Sequence, residues 1–357
     1  MKKFLATLTA ASLICGTAFA MKPVTIVNQG SFMAGGKVVT ADGVYNGFNN
    51  YKDLSGNTLH GDHAYCFYQI PKKAKKLSLI FLHGYGQSGK SWETTPDGRD
   101  GFQNIFLERG FATYIVDQPR RGRAGLSTVE GNYKPVLSDQ MWFNICRIGE
   151  YPNTYDGVQA PTDADSMDQM FRFGTPNVAA FDAEIISDAM AAIFDKTNSA
   201  IFVTHSQGGG IGWLTAIKSD NVKAIISLEL GSGFLFPENE LPDEMPSSSP
   251  FGALNPEKIS LEKFERLTKI PILLIYGDNI PSGDTPVENW GQDNWRVRLN
   301  MARLWVEAIN RHGGNAELIH LPEIGIYGNT HSLMADKNNV EIANAMENWL
   351  KSKNLAK

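Results

Sequence analysis

Cysteine is scarce in this sequence, with three among 357 residues. So few exclude a disulfide-dense scaffold. Histidine is also sparse, at seven, and neither residue type recurs at metal-ligand spacing. There is no cationic excess, since 33 Lys and Arg face 38 Asp and Glu, for a formal charge of −5. That balance argues against nucleic acid as a partner. No internal repeat or low-complexity tail is present. The glycine string at 208–210 is not followed by Gly-Lys-Ser/Thr, so it is not a phosphate loop of that type.

The N-terminus reads as an export leader. Lys2 and Lys3 precede an apolar stretch from Phe4 to Ile14, and Ala18-Phe19-Ala20 has the small-x-small form of a cleavage site. The apolar run is too short for a stable membrane anchor. Ile14 stands before Cys15, where a lipoprotein would carry a small residue. The expected mature chain therefore starts at residue 21, two charge units more acidic, in the periplasm or outside the cell. It keeps only Cys66 and Cys146. An oxidising compartment allows these two to pair, and the sequence leaves open whether they do.

Residues 21–357 read as a single α/β domain. Strand-like segments at 24–27, 37–40 and 64–70 suit antiparallel edge strands. Leu79-Ile80-Phe81-Leu82 is apolar throughout, as in a central strand covered on both faces. Further strands are expected at 111–116, 200–203, 222–230, 270–276 and 316–321. Helices are expected at 100–109, 181–194, 208–217, 295–311 and 339–350. This alternation predicts a mostly parallel sheet with helices on both faces. Residues 125–178 interrupt it with Pro135, Pro152, Pro161 and Pro176, and with Trp142, Phe143, Tyr151, Phe171 and Phe173. A segment this long and irregular is expected to be a cap or lid insertion.

The chemistry-bearing stretch is Ile201-Phe202-Val203-Thr204-His205-Ser206-Gln207-Gly208-Gly209-Gly210. An apolar strand runs into a tight turn and then a helix, the setting of a nucleophile elbow. Ser206 is the candidate nucleophile, although Thr204 stands where Gly-x-Ser-x-Gly would have its first glycine. A neutral serine needs a base. His331, in the loop Gly325-Ile326-Tyr327-Gly328-Asn329-Thr330-His331-Ser332, is the candidate. The carboxylate that orients this histidine has two candidates on spacing alone. Glu229 ends an apolar strand, and Asp278 follows the next one; both keep the order serine, acid, histidine. Gly84 and Gly86 flank Tyr85 in a loop suited to an oxyanion hole, with backbone amides from Tyr85 and Gln207. Ser88 and Trp92 are candidate pocket residues. Arg120, Arg121 and Arg123 form a basic cluster that fits either an anionic substrate group or a structural loop. A serine at the elbow, where a dehalogenase has aspartate, leaves acyl chemistry without a metal or organic cofactor.

The chain resembles the α/β-hydrolase superfamily over residues 60–352. More narrowly, it is similar to atypical secreted bacterial esterases whose triad acid is a glutamate after strand six. The residues carrying this are His83-Gly84, Ser88-Gly89, Trp92-Glu93, Thr95-Pro96-Asp97-Gly98-Arg99 and Asp117-Gln118 with Arg121-Gly122-Arg123. The elbow, Ser227-Leu228-Glu229, Gly325 through His331, and Asp336-Lys337-Asn338-Asn339 complete the set. The resemblance implies a serine carboxylic-ester hydrolase with Glu229 as the acid and Asp278 in a structural role. It departs from the pattern at Tyr85-Gly86, in place of neighbouring cysteines, and at Leu230, in place of proline. The implied partner is a small-molecule ester. Lactonase, amidase or acyltransferase activity would use the same residues. An inactive exported binding protein is the non-enzymatic alternative.

Overall fold

A computed structural model describes residues 23–47, 52–131 and 133–357. The expected leader lies outside the described residues. Eight strands form one sheet: β1 (Ile26–Ala34), β2 (Ala64–Pro71), β3 (Ser78–Leu82), β4 (Thr113–Asp117), β5 (Ala200–His205), β6 (Val222–Leu228), β7 (Pro271–Tyr276) and β8 (Asn315–His320). Their order across the sheet is β1-β2-β4-β3-β5-β6-β7-β8. The pairs β1–β2 and β2–β4 are antiparallel, and every later pair is parallel. The α/β architecture expected from the alternating pattern is therefore present.

Strand periodicity divides the core in two. Successive side chains point to opposite faces. Leu79, Phe81, Ile201, Val203, Ala224, Ile226, Leu273 and Ile275 enter one cluster with residues of α1 (Phe102–Glu108) and α8 (Asn339–Ser352). Ile80, Leu82, Phe202, Ile225, Ile272 and Leu274 enter the other, with α4 (Ala183–Thr197), α5 (Gly208–Lys218), α6 (Leu261–Leu267) and α7 (Trp290–Arg311). The continuous apolar runs of β3, β5 and β7 thus follow from burial on both faces. Each fully buried Leu, Ile or Phe adds roughly 1.5–3 kcal/mol.

Local differences from the sequence pattern have local causes. The segment 37–40 is a strand outside the main sheet; it pairs with residues 58–61 as a separate ribbon. Helix α7 begins at Trp290, five residues before the apolar pattern suggests, because the Asn289 side chain accepts from Gln292 N–H and caps it. Within 125–178 lie α2 (Asp139–Ile145), α3 (Ala164–Arg172) and a two-residue ribbon at 149–150 and 153–154. Cys66 and Cys146 are both free and buried. Cys66 sits inside the sheet core and Cys146 in a separate cluster with Phe143, Ile148 and Val158, so no disulfide joins them. No helix of the described residues is long and apolar enough to cross a membrane.

Candidate active site

Parallel strands bring the chain ends that matter to one edge. Leu228 of β6 is registered with His205 of β5 and with Ile275 of β7. Ser206 and Glu229 directly follow their strands and Gly277-Asp278 follows Tyr276, the last residue of β7, so all emerge side by side at the sheet's C-terminal edge. Ser206 has φ +54° and Glu229 φ +53°. Such angles are uncommon for residues with a Cβ and cluster at functional turns. They are over-determined here. Ser206 N–H donates to Leu228 O at 3.0 Å, and Ser206 O accepts from Gly209 and Gly231 N–H at 3.1 and 3.0 Å. Glu229 N–H donates to Ile275 O at 2.8 Å.

Two backbones close in on Ser206. A Cβ on Gly84 would lie 2.7 Å from Ser206 Cβ, and one on Gly231 would lie 3.1 Å from Ser206 Oγ. A Cβ at Gly84 would force a shift of the serine turn, and one at Gly231 would crowd it. Leu230, beyond Glu229, is fully buried over Gly209, where a Cβ would come within 2.1 Å of its methyl group.

Glu229 is fully buried and each of its oxygens is engaged. Oε2 lies 3.0 Å from His331 Nδ1. Oε1 accepts from Arg147 Nη2 at 2.7 Å and from Gly277 N–H at 2.5 Å. Burial pushes this carboxyl up, but Arg147 and His331 outweigh it and leave the group at about 2. Asp278 is placed differently. Its oxygens accept from Asn279 and Gly328 N–H, both at 2.6 Å, so it organises the loop beneath the histidine and does not touch the ring.

His331 is packed on two sides. Trp295 lies against its ring with centroids 4.1 Å apart, and His205 lies 4.5 Å away. Its backbone O accepts from His205 Nε2 at 2.8 Å, and its N–H donates to Cys146 O at 2.9 Å. Burial lowers its pKa below 6.5, with Glu229 opposing and Arg147 and Arg298 assisting the shift. Ser206 Oγ and His331 are not hydrogen-bonded to each other in this geometry; the contact that joins histidine loop and elbow runs through His205. The loop is held from below by Asp336, which accepts from Thr330 N–H, Thr330 Oγ1 and Asn329 Nδ2. Burial raises the Asp336 carboxyl to about 6.

The remaining predicted residues fall in three places. Tyr85 follows Gly84 and Gln207 follows Ser206, and neither backbone N–H has an acceptor among the described residues. Tyr85 is half exposed, with its ring 5.9 Å from Trp142. Ser88 is half-buried beside Gly122. Trp92 is not a wall of an open pocket: it is fully buried between Phe81 and Phe102, with its ring edge-on to His205 at 6.4 Å. It supports the elbow from beneath. The basic cluster also splits. Arg120 pairs with Asp62 and Arg123 with Asp117, each at 2.8 Å. Arg121 meets no carboxylate; it donates to Gly84 O, Gln118 Oε1 and Gln207 Oε1.

Arg147, which the sequence did not reveal, is the residue that pairs with Glu229. It comes from the irregular segment, has φ +59° and is fully buried. It reaches Glu229 with Nη2 and Asp278 O with Nε at 2.7 Å. Its partner lies 82 residues away in sequence, and no motif marks it. Among the described residues, no group of three or more His, Cys, Asp or Glu is arranged to hold a metal ion.

The chain superimposes on a structure described as the atomic resolution structure of a novel bacterial esterase, with a TM-score of 0.73 and 27% identity. The match covers 93% of this chain and 97% of the other. The chain is a relative of α/β-hydrolase esterases and lipases. A probable secreted lipase, phiG, from a fungus (Fungal sp., strain ATCC 74256) is 26% identical over 314 residues. That alignment spans 76% of this chain and 81% of the lipase. No family model matches.

Proposed function

We propose that this protein is an exported serine carboxylic-ester hydrolase using Ser206, His331 and Glu229. The observation that carries the reading is the contact of the buried Glu229 carboxylate with His331 Nδ1, beside an elbow serine at φ +54°. Glu229 fixes the tautomer with hydrogen on Nδ1, leaving Nε2 as a base, and stabilises the imidazolium that forms. Ser206 Oγ attacks the ester carbonyl as His331 takes its proton. The same proton is delivered to the departing alcohol, leaving an acyl-enzyme. Water, activated by His331, then releases the acid and restores the serine.

Negative charge on the carbonyl oxygen is stabilised by the backbone N–H groups of Tyr85 and Gln207. Arg121 ties Gly84 O and Gln207 Oε1 together and so fixes both halves of that oxyanion hole. The ester is held beneath residues 125–178, which we assign as a cap. The leader and the secreted lipase relative favour a site of action outside the cytoplasm.

The test is steady-state hydrolysis of short-chain p-nitrophenyl esters by the chain from residue 21. Ser206→Ala is expected to lower kcat by at least about a thousandfold, and Glu229→Gln by about a hundredfold or more. Asp278→Asn is expected to stay within about tenfold, because it loses loop hydrogen bonds and no catalytic contact. Thermal melts check that each variant is folded. Loss of activity in Asp278→Asn with retention in a folded Glu229→Gln would reverse the acid assignment.

A further inference from the structure

A second guanidinium is bonded to the strand-end loop that packs against Ser206. Arg298 lies on α7, three residues after the tryptophan that packs on His331. Its Nε donates to Gly231 O at 2.8 Å, and Nη1 donates to Asn294 O and Oδ1, both at 2.7 Å. Gly231 is the residue whose Cβ position lies 3.1 Å from Ser206 Oγ. Arg298 is therefore one residue removed from the attacking oxygen. Its Nη2 has no hydrogen-bond partner among the described residues, and the side chain makes no ion pair with them.

The surrounding charges sharpen this. Glu229 and Arg147 neutralise each other. Arg120 and Arg123 are paired with aspartates, and Asp278 is spent on backbone N–H groups. Arg121 and Arg298 are left on opposite sides of Ser206, reached through Gly84 and Gln207 on one side and Gly231 on the other. Holding a guanidinium in a partly desolvated place without a carboxylate is costly. The chain as a whole has a formal charge of −5, so this cationic spot runs against the overall balance. Arg121 is nearly sealed, and both its Nη1 and its Nη2 donate to protein oxygens. Arg298 keeps one donor edge free.

We propose that Arg298 is a specificity residue that binds a carboxylate of the substrate, so that the preferred ester carries an anionic group a short chain away from the scissile carbonyl. This rests on the esterase reading above. A carboxylate seated on Nη2 forms a charge-assisted hydrogen bond at the edge of a low-dielectric site, where such bonds are strong. It also completes the donor set of a side chain already fixed by Gly231 and Asn294, so little rotamer entropy is lost on binding.

The experiment compares matched esters that differ in one end group. Mono-p-nitrophenyl adipate against p-nitrophenyl hexanoate places the carboxylate on the acyl side. Para-acetoxybenzoate against phenyl acetate places it on the alcohol side. The expected result is at least about a tenfold higher kcat/KM for the anionic member of one pair, through KM. In Arg298→Met that preference is lost or reversed, because the anionic member loses at least about tenfold more kcat/KM than its neutral counterpart. Arg298→Lys restores part of it, and raising salt weakens it in the wild type. An equal loss on neutral and anionic esters in a folded Arg298→Met would show that the residue only braces α7 against Gly231, and would overturn the proposal. Neutral preference in both wild-type pairs would do the same while leaving ester hydrolysis intact. Absence of hydrolysis of every ester would remove the reading on which it stands.

Discussion

Replacing Arg147 with methionine tests how the site is held together. The substitution keeps an unbranched apolar stem and removes the guanidinium that contacts Glu229 Oε1 at 2.7 Å and Asp278 O at 2.7 Å. Both side chains of the pair are fully buried. Breaking such a pair costs about 3–5 kcal/mol, because the surviving charge stays buried without its partner. The Glu229 shift gives a second route to that size. Its carboxyl is held at about 2 against an ordinary 4.5, which corresponds to on the order of 3 kcal/mol of stability.

Glu229 has a depressed folded-state pKa, so its contribution is fully present above pH 4.5 and is lost as pH falls from 4.5 toward 2. Removing Arg147 removes the leading cause of that depression. The stability gap between wild type and Arg147→Met should therefore be wide at pH 7 and narrow below pH 4.5. Urea denaturation at pH 7, 5 and 3.5 measures it. Arg147 also helps to lower the His331 pKa. The acid limb of kcat/KM should accordingly move to higher pH in the variant. A gap that is absent at pH 7, or that stays constant down to pH 3.5, would refute the argument.

Three further expectations follow from other parts of the molecule. With His331 below 6.5 and required as a neutral base, wild-type kcat/KM should be flat near pH 7 and decline on the acid side only below pH 6.5. The free cysteines should give two thiol equivalents in unfolded protein from residue 21 under non-reducing conditions, and nearly none when native. Burial pushes the Cys146 thiol up to about 12 and the Cys66 thiol higher still. Trp92→Ala should cost about 3–5 kcal/mol in a denaturant melt, as expected for emptying a buried aromatic site. A larger effect on substrate KM than on stability would instead place Trp92 at the substrate.

Much of the sheet could be read from the sequence because its strands obey one simple rule. Strands covered on both faces are apolar at every position, so 79–82, 200–203 and 270–276 stand out from their surroundings. Residues 58–61 form an exposed ribbon strand and carry no such signal. The elbow was visible because strand, serine and glycines are contiguous. The choice between Glu229 and Asp278 was not open to spacing, since both follow strands at one edge of the sheet. It turns on which carboxylate the turn at φ +53° directs toward His331 and which one Gly328 N–H captures. Trp92 illustrates the opposite limit. An aromatic near a nucleophile can serve from beneath as well as from within a pocket, and only burial separates the two. Arg147 was hidden because its meaning is wholly long-range.

Residues 143–159 are bound to the Glu229 and His331 segments at several points. Cys146 O receives the His331 N–H, Arg147 grips Glu229, and Gln159 N–H donates to Gly328 O at 2.7 Å. This segment is therefore not a detachable module. Exchanging residues 125–178 as a block would remove the ion-pair partner of Glu229 and a backbone support of His331 together. A chimera that keeps residues 143–159 native and exchanges only what surrounds them keeps those contacts intact.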